Sequence, residues 1–127
     1  MSRQGVLLDT DFVIDFLRGD ASAVDIIVPL WEKNHAYLSI LSVYELYAGM
    51  FPAEKEATDH FIAACRLELL TMEIAKNAGI YRSYYRAKGL TLSIVDCLIA
   101  ETAKAGGYLI ATKNLRHFPE KQYLLNY

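Results

Sequence analysis

Val6-Leu7-Leu8-Asp9-Thr10-Asp11-Phe12-Val13-Ile14 is the stretch whose reading decides the fold. Three consecutive apolar residues, too few for a helix and without polar alternation, read as a strand buried on both faces of a parallel sheet. Asp9 closes that strand. A helix should follow almost at once, with Asp11 as its N-cap, Phe12, Ile14, Phe16 and Leu17 as its apolar surface and Gly19 as its stop.

Outward from this stretch, strands and helices keep alternating. Residues 21–33 read as a helix interrupted by Pro29, which lacks the donor a helix interior needs. Strand patterns follow at 36–40, 67–70, 108–111 and 123–125, and helical patterns at 42–49, 52–65, 73–88 and 93–105. Gly89 and the pair Gly106-Gly107 punctuate the later helices. This order predicts an α/β fold with a mainly parallel central sheet of about five strands flanked by helices, and a single domain over residues 1–127.

The composition, 54% hydrophobic and 22% charged, excludes disordered and fibrous classes. No apolar run approaches the ~18 residues of a membrane span, and Arg3, Asp9, Asp11 and Asp15 break any signal-peptide pattern, so a cytoplasmic protein is expected. Cys65 and Cys97 are isolated, which leaves a disulfide framework, a zinc site and a redox pair without support. The net charge of −2 conceals a split. Residues 1–64 carry 4 basic and 10 acidic side chains, and residues 65–127 carry 9 and 5. An acidic metal site flanked by phosphate-attracting groups has this sign pattern, and so does an ordinary solvated surface.

Four polar residues stand at the ends or beginnings of apolar elements: Asp9, Glu45, Asp96 and Asn114. Ligands gather at the carboxyl ends of parallel strands, where Asp9 and Asn114 fall, and Glu45 and Asp96 open helices on the same edge. Hard oxygen donors of this kind fit Mg²⁺ or Mn²⁺ rather than zinc. Both helix-opening acids also have a simpler job, because Ser42 with Glu45 forms an S-x-x-E capping box and Ser93 with Asp96 its shorter relative. Glu45 shares its helical stripe with Ala48 and Gly49, and Asp96 with Ile99, Ala100 and Ala103, whereas Cys97, Glu101 and Lys104 mark the polar face of that second helix. Carboxylates on packed faces need a partner or a cation.

The segments VLLDTDFVIDFLRGD, SILSVYELYAG and TLSIVDCLIAETAKAGGYLIATKNLRHF, in that order, resemble the PIN-domain nucleases, most closely the VapC-like toxins of toxin-antitoxin pairs. The resemblance implies a Mg²⁺ or Mn²⁺ site made by Asp9, Glu45 and Asp96, with Asn114 at a fourth position where many members carry Asp, and Thr112 at the family's hydroxyl position. It implies metal-dependent hydrolysis of RNA phosphodiester bonds, a small antitoxin as protein partner and a homodimer. Thr112, Lys113, Arg116, His117 and Arg86 are candidate RNA contacts. Phe12, Phe16, Trp31, Tyr44, Tyr47, Met50 and Phe51 are candidates for the antitoxin groove. Two rival readings stand beside this one. VLLDTDFVI also fits a haloacid-dehalogenase-like phosphatase with Asp9 as nucleophile and Asp11 as acid, and Asn114 admits a PIN-like binding module without turnover.

Overall fold

The computed structural model describes residues 5–126, so Arg3 lies outside the described residues. Four parallel strands form the sheet: β1 (Val6–Leu8), β2 (Ala36–Ser39), β3 (Arg66–Glu68) and β4 (Leu109–Ala111), in the spatial order β3-β2-β1-β4. β1 is central, which explains its unbroken apolar run: all three of its residues are buried. Side-chain alternation divides them between two cores. Val6 and Leu8 join Phe12, Ile27, Leu38, Leu46 and Phe61 on one face, while Leu7 joins Tyr81, Cys97, Ile99, Ile110 and Phe118 on the other.

The helices α1 (Thr10–Leu17), α2 (Ala21–Glu32), α3 (Ile40–Gly49) and α4 (Lys55–Ala64) supply the first core. The helices α5 (Met72–Ala87) and α6 (Ile94–Gly106) cover the second. A helix–sheet–helix sandwich results, as the alternating pattern predicts. Pro29 sits inside α2, near its end, and the helix runs on to Glu32. Gly107 terminates α6 at φ 72°, a left-handed conformation that favours glycine.

Three expectations need correction here. Among the described residues the sheet has four strands rather than about five: residues 121–123 form a 3₁₀ turn, and the apolar run at 123–125 contributes an isolated parallel bridge, Ile110 to Leu124. Asp11 does not cap α1; Asp9 does, accepting from the Thr10 amide at 3.0 Å. Cys97 is not on a polar face but is 1% exposed among Tyr81, Ile99 and Leu92. The α6 stripe Ile99, Ala100 and Ala103 is buried as expected.

A cluster behind the sheet ties the C-terminal segment to the helices. Lys104 on α6 pairs with Glu101 at 3.0 Å and with Glu120, and its ammonium lies 4.5 Å from the centre of the Tyr81 ring. Tyr85 donates to Glu120 at 3.2 Å. Phe118, 2% exposed, inserts from that segment into the second core.

Candidate active site

β1 lies between β2 and β4, so the chain leaves it toward one side of the sheet and returns on the other. In an open parallel sheet that reversal opens a crevice at the strands' carboxyl ends. A cavity of about 410 Å³ lies there, lined by Asp9, Thr10, Asp11, Ile14, Glu45, Ser93, Val95, Asp96, Asn114 and His117. All four scattered polar positions therefore meet at one cleft.

Each arrives by a different local device. Asp9 follows the last residue of β1, and its main-chain N–H donates to Ala111 O at 2.9 Å, one step beyond the β1–β4 ladder. Its side chain is 6% exposed and held on both oxygens, by the Thr10 amide and by the Thr112 hydroxyl at 2.8 Å. Thr112 also accepts from the Asn114 amide at 2.9 Å, so it both orients Asp9 and shapes the turn after β4.

Glu45 reaches the cleft from the second turn of α3, not from its first. The N-cap is Ser39, the final residue of β2, whose hydroxyl accepts from the Leu41 amide at 3.1 Å. Ser42 and Glu45 therefore do not form a capping box. Instead the Thr10 hydroxyl lies 2.6 Å from Glu45 Oε1 and 2.9 Å from the Ser42 hydroxyl. A hydroxyl has one proton and a carboxylate only accepts, so Thr10 donates to Glu45 and Ser42 donates to Thr10. Replacing Thr10 by Val keeps the shape but removes both bonds. For a divalent ion held at this cleft, the expected result is about 10- to 100-fold weaker affinity, the usual size of an orienting-residue loss, readable by Mn²⁺ titration calorimetry; unchanged affinity would deny Thr10 this role.

Asp96 stands in the first turn of α6, where Ser93 is the cap, accepting from the Asp96 amide at 3.0 Å. Here the capping expectation holds, yet the Asp96 carboxylate is free to do something else. It pairs with His117 Nδ1 at 3.2 Å. Asn114 Nδ2 donates to Asp11 Oδ2 at 2.6 Å.

The electrostatics of the cleft are those of crowded negative charge. Burial pushes the Asp9 carboxyl up to about 6, with the charges of Asp96 and Asp11 adding to the rise and the Thr112 and Thr10 hydrogen bonds opposing it. Burial also raises Asp96, against the Ser93 hydrogen bond and the attraction of His117. Among the described residues, no three His, Cys, Asp or Glu side chains are already drawn into one ion-ligating group. The donors are nonetheless of the kind a hard divalent cation takes: carboxylate oxygens, with the nearby Cys97 thiol buried in the core.

Other candidates have different surroundings. Lys113 is held by Asp15 at 2.9 Å and Asp20 at 3.7 Å. Arg116 and Arg86 are exposed, neither of them lining the cleft, and Arg86 lies in the last turn of α5. Of the aromatic groove candidates, Phe12 is core, Phe16 and Trp31 pack edge-on at 5.0 Å, and Tyr44, Tyr47 and Phe51 are exposed. A separate apolar groove runs between α1, α3 and α4, lined by Ile14, Leu17, Leu46, Gly49, Met50 and Ala57 among others.

Thr10 and the Asp96 partnership of His117 escaped the sequence reading. Thr10 carried a usable signal, since it lies between two acids at a strand-to-helix junction. His117 carried none, because its partner is on another element.

Comparison with known proteins agrees with this architecture. Residues 6–122 match the PIN domain family model. The chain is 34% identical over 114 residues to ribonuclease VapC10 of Mycobacterium tuberculosis, covering 90% of this chain and 86% of that one. Ribonuclease VapC19 of the same organism is likewise 34% identical over 114 residues, covering 89% and 91%. Among solved structures, the fold is similar to DNA-bound VapBC from Salmonella typhimurium, with a TM-score of 0.81, 21% identity and 96% of each chain covered. It is also similar to FitAcB from Neisseria gonorrhoeae, with a TM-score of 0.77, 24% identity and 94% of each chain covered. With the β1–α1 acid, the α3 and α6 acids and the β4 turn all brought to one sheet edge, this chain belongs to the PIN-domain family.

Proposed function

We propose that the chain is a divalent-metal-dependent endoribonuclease and the toxin of a toxin-antitoxin pair. The observation that carries this reading is the convergence of Asp9, Glu45 and Asp96 on one cleft from three separate elements. The similarity to VapC ribonucleases over nearly the whole chain supports RNA as the substrate class. Membership of the PIN family displaces the phosphatase alternative.

Asp9 and Asp96 would hold a Mg²⁺ or Mn²⁺ ion, with Glu45 completing the set directly or through water. Such an ion, when bound, lowers the pKa of its water and offsets the charge that builds on the phosphate. The protein's own part is orientation: Thr112 and the Thr10 amide fix Asp9, Thr10 and Ser42 fix Glu45, and α6 fixes Asp96. Asn114 positions a neighbouring group through its amide rather than through charge. Arg116 and Arg86 are exposed cations suited to phosphate contact, and Lys113 can take that role only by leaving Asp15 and Asp20.

The apolar groove between α1, α3 and α4 supports a small antitoxin as partner, because Glu45 belongs to both the groove and the cleft and a partner seated there would reach the acids. Met72, Ile80 and Tyr84, exposed at helical spacing along α5, support a homodimer. Among the described residues no helix is long and apolar enough to cross a membrane. The cytoplasm is the compartment this reading assigns.

Digestion of a varied RNA panel with Mg²⁺ or Mn²⁺ tests the proposal, with cleavage ends mapped. Cleavage should vanish in EDTA and in Asp96→Asn. Metal binding without cleavage of any RNA would favour a silent binding module, and normal cleavage by Asp96→Asn would remove that residue from the site.

A further inference from the structure

Asp11 is the one carboxylate of the cleft to which the proposed ion site gives no task. It stands exposed in the first turn of α1, two residues past Asp9. An acid there gains from the helix dipole without any partner, yet Asp11 has one. Asn114 Nδ2 donates to it at 2.6 Å across 103 residues of sequence. Asn114 is itself fixed: its main-chain N–H donates to the Thr112 hydroxyl, and that hydroxyl donates to Asp9. One continuous chain of hydrogen bonds therefore sets Asp11, Asn114, Thr112 and Asp9 relative to each other.

Asp11 also acts on the other acids electrically. It lines the same cavity as Asp9, Glu45 and Asp96, so the four carboxylates share one field. An amide after β4 brings no charge to that field; the carboxylate it grips does.

We infer that Asp11, held in place by the Asn114 amide, supplies the cleft's fourth negative charge for divalent-cation binding. The inference rests on the metal-dependent reading of the same cleft. The pair carries one charge whichever of its members is the acid, so exchanging Asp and Asn between the two positions should preserve function.

Calorimetric titration with Mn²⁺ tests it, using the whole chain and the variants Asp11→Asn, Asp11→Asn/Asn114→Asp and Asp96→Asn, with metal-free melting curves for each. Asp11→Asn should bind Mn²⁺ about 10- to 100-fold more weakly, and the exchanged double variant should regain most of that loss. If Asp11→Asn binds like the wild type, or the exchange stays as weak as the single variant, the inference is overturned. A lowered melting temperature with unchanged affinity overturns it too, because that is the signature of a purely structural acid. Loss of Mn²⁺ binding in Asp96→Asn alone leaves the metal reading standing without Asp11; a wild type that neither binds Mn²⁺ nor cleaves RNA overturns both.

Discussion

Asp9→Asn is expected to abolish RNA cleavage and, without metal, to make the protein more stable at neutral pH. Asp9 is 6% exposed, and burial together with Asp96 and Asp11 lifts its carboxyl to about 6, against 3.8 for an ordinary Asp side chain. Between those values the folded chain holds a proton that the unfolded chain has released. Linkage then makes stability fall as pH rises through that window, with the full penalty present above about pH 6. The shift corresponds to about 3 kcal/mol. An amide keeps the shape and carries no charge, so the penalty should disappear. Urea unfolding in EDTA at pH 4.5 and 7.5 reads this as a difference between the two proteins: the variant's advantage should appear at 7.5 and shrink at 4.5. Parallel pH curves would show that burial does not govern Asp9. Cleavage in Mg²⁺ should drop at least about 10²- to 10³-fold, the cost of removing a group that sustains transition-state electrostatics. A residue that is worse for the fold and necessary for the reaction is the usual mark of a functional site.

Phe118→Ala should cost about 3–5 kcal/mol, the range for deleting a buried aromatic ring. For a domain this size, total stability is only about 5–15 kcal/mol. Phe118 anchors the segment that begins at Asn114 and carries His117, and it packs with Tyr81, Cys97 and Ile110. Lys104 grips the same segment two residues further on, at Glu120. Without the ring, the pairings of Asn114 with Asp11 and His117 with Asp96 lose their support. Cleavage should therefore fall at temperatures where circular dichroism still reports a folded chain, and Phe118→Leu, which refills most of the space, should recover much of both losses. Full activity in a folded Phe118→Ala protein would show that the site does not depend on this anchor.

The parts legible in the sequence were those where one physical requirement dominated. Val6–Leu8 is central and covered on both faces, so its unbroken apolar run could mean little else. Residues 123–125 are equally apolar but are anchored by a 3₁₀ turn, by the Lys121 contact to the Leu115 carbonyl and by the lone Leu124 bridge, so local pattern overstated them. The capping box at Ser42 and Glu45 misled for a related reason. The motif was present, but β2 runs into α3 without a loop and Ser39 takes the cap, which carries Ser42 and Glu45 into the helix body. Asp9 and Asp96 were legible because a carboxylate beside buried apolar residues is costly; that argument does not reach Glu45, whose stripe neighbours Ala48 and Gly49 are exposed. The partners of the site residues, Thr10, Thr112, Asp11 and His117, come together only through the sheet order, which no local pattern encodes.

The position of β4 next to β1 has a consequence for how the protein comes into being. Asp9, Asp11 and Glu45 are synthesised early, but Asp96, Thr112, Asn114 and His117 belong to the last third of the chain. The cleft needs strand pairing across about a hundred residues of separation. Contacts of that range form late and cooperatively, since loop closure must precede their reward. A partly synthesised chain thus holds its first acids without the far wall that orients them, and activity should appear in one step, only once β4 has docked.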